Sequence, residues 1–115
     1  GGNEEAIEQL KLIDIYQTKA FAYFLKKMKS TPDGDGTLLD HSLLLYGAGM
    51  GDGDIHNQWN MPIALFGGAN GKIKKTGLHI RYPKGTPFSN FHVSLLNMVN
   101  MPTEKFGTPL APIRK

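Results

Sequence analysis

The sequence predicts an α/β chain: a small, mostly parallel sheet flanked by a long N-terminal helix and a short C-terminal helix. Three observations carry this prediction. Residues 4 to 29 repeat apolar positions at helical spacing, two short apolar runs ("SLLLYGA" and "PIALFGG") are bounded by turn residues, and "FHVSLLNMVN" shows a second helical pattern that ends before Pro102. Helix, strand, loop, strand and helix is an α/β order.

Taken in order, Ala6, Leu10, Ile13, Ala20, Phe21, Phe24 and Met28 recur every three or four residues and share one helix face. Glu4, Glu5 and Glu8 open that helix and Lys26, Lys27 and Lys29 close it, each sign matching the helix dipole. "STPDGDG" ends it, because Pro32 cannot continue a helix and the Gly/Asp pairs favour turns. The runs at 42 to 48 and 62 to 68 read as strands buried on both faces, with Pro62 tolerable at a strand's first position. The expected core is the helix face packed on Leu43 to Tyr46 and Ile63 to Phe66. From Asn70 to Arg81 a weaker alternation suggests a small hairpin of "NGKIKK" and "GLHIRY". Ser89 or Asn90 is placed to cap the second helix, and the tail "EKFGTPLAPIRK" reads as a surface strap.

Two confident strands make a sheet too small to stand alone comfortably. A parallel pair also needs a crossover of about a dozen residues or more, so the loop between the strands would have to serve as one. The strands are therefore expected to complete a larger sheet or to pair with a second copy of the chain.

Composition narrows the function classes. The 115 residues suit one domain, and 40% apolar with 20% charged residues is ordinary for a globular protein. No apolar stretch approaches the ~18 residues of a membrane span, and no signal peptide is visible at the start. The Gly-Gly opening suggests a processed end or cloning scar, and hence a piece of something longer. Without cysteine there is no disulfide or thiolate chemistry. The net charge of +3 is a mild excess gathered at "LKKMK" and "GKIKK", without the basic, aromatic-interleaved face of a nucleic-acid binder.

The stretch richest in chemistry is "GMGDGDIHNQWNMP", residues 49 to 62. Asp52, Asp54 and His56 leave the end of the first strand together, where ligands of open α/β sheets gather, and alternate residues of an extended loop can point the same way. Carboxylate plus imidazole suits zinc, manganese or iron better than calcium. The spacing is not that of an EF-hand, because Asn57 stands where glycine is needed; "DGDGTLLD" fails likewise at Leu38. Gly49, Gly51 and Gly53 would let backbone approach a ligand closely, with positive φ expected at one or more of them. Trp59 is expected to pack against the core or an interface. Gly-Asp-Gly-Asp is equally plain turn chemistry, with Asp bonding its own backbone. His41 and His79 lie at element edges with no acidic partner in sequence, and His92, in the second helix's first turn, is expected to face solvent.

Residues 36 to 107, above all "LLLYGAGMGDGDIHN", "PIALFGG", "TGLHIRYP" and "NFHVSLLN", resemble the C-terminal section of a family of uncharacterised exported bacterial proteins. That family is named for an HXXSHH motif, which would lie upstream of this chain. It is in turn similar to the alkaline-phosphatase and sulfatase superfamily. The resemblance implies a partial alkaline-phosphatase-like three-layer fold, with 1 to 35 a helix and turn, 36 to 107 the matching core and 108 to 115 a tail. It also implies an exported, periplasmic location, the upstream part of the same chain as partner, and a divalent metal (zinc, manganese or calcium) in the full-length protein. His56 falls where that superfamily places a late metal-binding His. Its strand-end Asp-His or Asp-Asn pair, however, is replaced here by Gly49 and Met50, neither of which holds a cation. Two functions follow: a piece of a phosphate or sulfate ester hydrolase, inactive alone, or a non-catalytic binding or scaffold domain that keeps the fold without the metal site.

Overall fold

The computed structural model describes residues 3 to 107. Most of the predicted tail strap, residues 108 to 115, lies outside the described residues. The chain forms α1 (Glu4–Ser30), β1 (Pro32–Asp33), β2 (Gly36–Thr37), β3 (Leu44–Gly47), β4 (Ile63–Phe66), a 3-10 turn (Ala69–Gly71) and α2 (Phe88–Met98). Its contacts divide into two units, Gly1–Asn70 and Gly71–Lys115.

In the first unit, α1 starts where Asn3 accepts a hydrogen bond from the Ala6 amide, and it ends at Thr31, immediately before Pro32. The long helix and mixed α/β content are as the sequence predicts, but the sheets are not parallel. β3 and β4 pair antiparallel in the register Leu44↔Phe66, Leu45↔Leu65, Tyr46↔Ala64 and Gly47↔Ile63. The connection explains the difference. The residues between these strands form no helix to carry a parallel crossover, whereas an antiparallel return needs only a loop.

Alternation along β3 leaves Leu45 exposed and turns Leu44 and Tyr46 inward, so this strand is half-buried and not covered on both faces. The inward face meets α1 through Phe21, whose ring stacks on Tyr46 at 4.3 Å and meets Phe66 edge-on at 5.3 Å. The predicted helix face is therefore only partly used. Phe21, Leu25 and Met28 are half-buried, but Leu10 (61%), Ile13 (51%) and Phe24 (45%) stay exposed. Geometry sets the limit: 27 helical residues run about 40 Å, and four strand residues only about 13 Å.

Between helix and hairpin, residues 31 to 42 act as a joint. β1 and β2 make a small antiparallel hairpin that the turn-rich sequence had hidden. The amides of Leu38 and Leu39 then donate back to the Thr31 and Met28 carbonyls. From the other side, three successive amides after β4 reach in: Gly68 to the Leu39 carbonyl (3.0 Å), Ala69 to Ser42 (2.9 Å) and Asn70 to Asp40 (3.0 Å). Gly67 makes this latch possible. Its φ is +99°, and a Cβ there would overlap the Ser42 carbonyl oxygen. Ala69, at the centre of the latch, is the only buried apolar residue among those described.

In the second unit, residues 72 to 87 form no strand, so the hairpin expected over 70 to 81 is absent. α2 begins at Phe88 after Pro87, with no side-chain cap from Ser89 or Asn90. Its C-terminus closes as a Schellman turn. Asn100 takes φ 60°, the Met101 amide donates to the Leu96 carbonyl at 2.9 Å, and the Asn100 amide donates to the Asn97 carbonyl at 3.4 Å. His92 is not solvent-facing as expected. It is half-buried, stacks on Phe106 at 4.7 Å and donates through Nδ1 to the Phe88 carbonyl at 3.1 Å.

Candidate functional site

The 49 to 62 loop leaves β3 and re-enters β4 between paired residues, with the Ala48 amide donating to the Pro62 carbonyl at 3.1 Å. Inside it a smaller loop closes on itself. The Gly51 amide donates to the Asn57 carbonyl at 2.9 Å, and the Asn57 amide returns to the Asp52 carbonyl at 3.3 Å. Asp52 Oδ1 accepts the Asp54 amide at 2.9 Å and the Ile55 amide at 3.4 Å, an Asx turn. Asn57 Oδ1 accepts the Trp59 amide at 3.2 Å. His56 donates through Nδ1 to the Asp54 carbonyl at 3.2 Å, which leaves Nε2 as the acceptor nitrogen.

Two expectations for this loop fail. None of Gly49, Gly51 and Gly53 takes a positive φ; His56 (53°) and Asn60 (52°) do so instead. The turn reverses at His56, whose ring bonds the Asp54 carbonyl, and at Asn60, so glycine is not needed for its handedness. At Gly51 the close approach is to the loop's own backbone, because a Cβ there would overlap the Trp59 carbonyl oxygen. Trp59 does not pack against the core of the chain; it is 59% exposed. The loop is too short and too self-bonded to fold its indole back onto the hairpin.

Asp52, Asp54 and His56 thus share one exposed loop. Among the described residues, no group of three His, Asp or Glu side chains is arranged to hold a metal ion. Asp52 Oδ1 already faces two amide hydrogens, which compete with a cation for that oxygen.

The ionisable cluster that does assemble lies elsewhere and was not anticipated. His41 bridges two carboxylates, with Nδ1 2.8 Å from Asp33 Oδ2 and Nε2 3.0 Å from Asp35 Oδ1. An imidazole satisfies both only as the doubly protonated cation. The hydrogen bond to Asp33, with the charges of Asp33 and Asp35, accordingly raises the His41 pKa above its ordinary 6.5 against a smaller burial effect. Next to it, Thr37 and Asp40 cap one another. The Asp40 carboxylate accepts the Thr37 hydroxyl and amide, both at 2.9 Å, and the Asp40 amide donates to the Thr37 hydroxyl at 3.3 Å. Those two donors hold the Asp40 carboxyl below its usual range.

Both ring nitrogens of His41 are engaged, and the carboxylates sit on opposite edges of the ring, so they do not converge on a common centre. The signal that could have found it is "PDGDGT", an Asp-Gly turn between Pro32 and Thr37 tight enough to bring Asp33 beside the chain that returns to His41. A shallow depression on α1 is lined by Tyr23, Lys26, Lys27 and Ser30 and includes no residue of either loop. Comparison of the chain with protein-family models, curated proteins and solved structures finds no match.

Proposed function

We propose that the chain acts as a non-catalytic binding or scaffold segment, and that on its own it hydrolyses no ester. One observation carries this reading: the Asp52 carboxylate caps the Asp54 and Ile55 amides of its own turn. The amide hydrogens on Oδ1 compete with a cation for that oxygen, and the remaining groups of the loop do not both activate and supply a nucleophile. The resemblance of residues 36 to 107 to the C-terminal section of the exported HXXSHH-motif family supports placing the segment in a longer, exported, alkaline-phosphatase-like protein. The upstream part of that protein would then be the partner of its hairpin.

Zinc and manganese titrations of the 115-residue chain by calorimetry test this, together with turnover of aryl phosphate and aryl sulfate. The expected results are no submicromolar binding and no turnover. Turnover that His56→Ala abolishes overturns the reading.

A second reading, the pocket wall of a metal-dependent phosphate or sulfate ester hydrolase, is favoured by one feature. His56 is held at φ 53° at the tip of the Asp52–Asn57 loop, a conformation that recurs at functional sites. Metal analysis of the full-length protein separates the two, since only the hydrolase requires bound metal.

A further inference from the structure

We infer that α1 is a self-association helix, pairing antiparallel with α1 of a second copy of this chain through a seam about Gln17. The inference stands on the helix alone and holds whichever reading of the 49 to 62 loop is right.

Two apolar stripes run along α1, which also exposes Ile7, Leu12, Ile15, Tyr16 and Tyr23 outside them. One, formed by Phe21, Leu25 and Met28, is half-buried at the hairpin end, where Phe21 stacks on Tyr46. The other, formed by Ala6, Leu10, Ile13, Gln17, Ala20 and Phe24, alternates spacings of four and three residues, the repeat of a coiled-coil seam. Nothing in its own unit covers this second stripe: Leu10, Ile13 and Phe24 are 61%, 51% and 45% exposed. A helix that overhangs its sheet with such a stripe in water gains by burying it.

Three features select a second copy, reversed. First, the charges are segregated, with Glu4 and Glu5 in the first turn and Lys27 and Lys29 in the last. A parallel pair would set like charges together at both ends, whereas an antiparallel pair sets acid against base at both. Glu5 and Lys27 flank the same side of the seam, so reversal brings each within reach of the other copy's Lys27 or Glu5. The two helix dipoles also oppose favourably. Second, reversal about Gln17 matches sizes, placing Leu10 near the other copy's Phe24 and Ile13 near its small Ala20. Third, Gln17 meets the other copy's Gln17 on the two-fold axis. A single polar pair at a seam position fixes register and orientation.

Sedimentation equilibrium of the 115-residue chain is expected to give twice the 12.7 kDa monomer mass. Leu10→Glu with Ile13→Glu should return it to the monomer. Because that variant also loses helix cover, charge reversal provides the second test. Glu5→Lys alone and Lys27→Glu alone should each self-associate about tenfold more weakly, since each breaks two exposed pairs per dimer, and their equimolar mixture should recover the wild-type constant. The chain has no cysteine, so orientation can be read directly: Glu5→Cys and Lys27→Cys chains should oxidise to the mixed disulfide in preference to either homodimer. A 12.7 kDa monomer at every concentration would assign the stripe to some other partner and overturn the inference. Preferential Glu5→Cys self-coupling would overturn the antiparallel arrangement.

Discussion

The chain contains nearly the same tetrapeptide twice, Asp33-Gly34-Asp35-Gly36 and Gly51-Asp52-Gly53-Asp54, and the two copies behave differently. In the first, Asp33 and Asp35 aim at one imidazole, and the turn belongs to the joint that ties α1 to the β3–β4 hairpin. In the second, the Asp52 carboxylate satisfies its own backbone, and the loop is exposed on almost every residue. Asp-Gly repeats supply carboxylates and tight turns in both places. What separates them is the return path of the chain. Thr37 to His41 curls back over the first turn and brings a cation to it, whereas Ile55 to Pro62 runs out and back and bonds mainly within its own loop.

The sharpest way to break the contrast is Gly67→Ala. It forces a side chain into left-handed φ against the Ser42 carbonyl and opens the latch on the joint, at an expected cost of roughly 2–4 kcal/mol. Chemical denaturation should show a large drop in midpoint, and an unchanged midpoint would remove the latch from the stability of the first unit. Gly51→Ala meets an equally hard obstacle at Trp59, but in the outer loop. There the disturbance should stay local, with faster amide exchange at Gly51 and Asn57 and a midpoint shift of about 1 kcal/mol or less.

Next comes pH. The native pKa of His41 lies above its ordinary 6.5, so its stabilising contribution is complete below pH 6.5 and is lost as pH rises through the raised native value. The thermal midpoint should therefore fall as pH rises above about 6.5, and His41→Gln should remove that slope. Because Asp35 is 95% exposed, Asp35→Asn should flatten the slope less than Asp33→Asn does. A slope that survives His41→Gln would mean that another group is responsible. Smallest of all is Gly53→Ala, where an added Cβ meets nothing within 4 Å and φ is not positive. Its effect should stay within about 0.5 kcal/mol, in contrast to a ligand-cradling glycine, which tolerates no side chain.

How far the sequence revealed this depends on the range of the interactions concerned. The 27-residue helix, its end charges and the two apolar strands were legible because each is encoded by local periodicity. Strand direction was not, since Leu44 faces Phe66 only through a pairing that no short window contains. Phe21, and not Phe24, became the ring that anchors the helix, because rotation about the helix axis is set by the hairpin it meets. At the candidate site, sequence reading saw that Asp52, Asp54 and His56 were close together but not that Asp52 would be engaged by its own amides. It passed over His41, whose partners Asp33 and Asp35 lie upstream across a turn. Chemistry-bearing residue types were visible in both loops; their hydrogen-bond partners were not.

The closed base of the outer loop has an engineering consequence. Gly47 and Ile63 are paired neighbours, so the chain between them starts and finishes in the same place, and the Asp52–Asn57 bridge isolates its tip further. Extra residues grafted between Gly53 and Asp54 give up the Asx turn at Asp52 but leave the paired base of the loop in place, and each doubling of loop length costs only about 0.6 kcal/mol of closure entropy. Epitope tags or a whole inserted domain should be carried there while the joint at 31 to 42 keeps its stability.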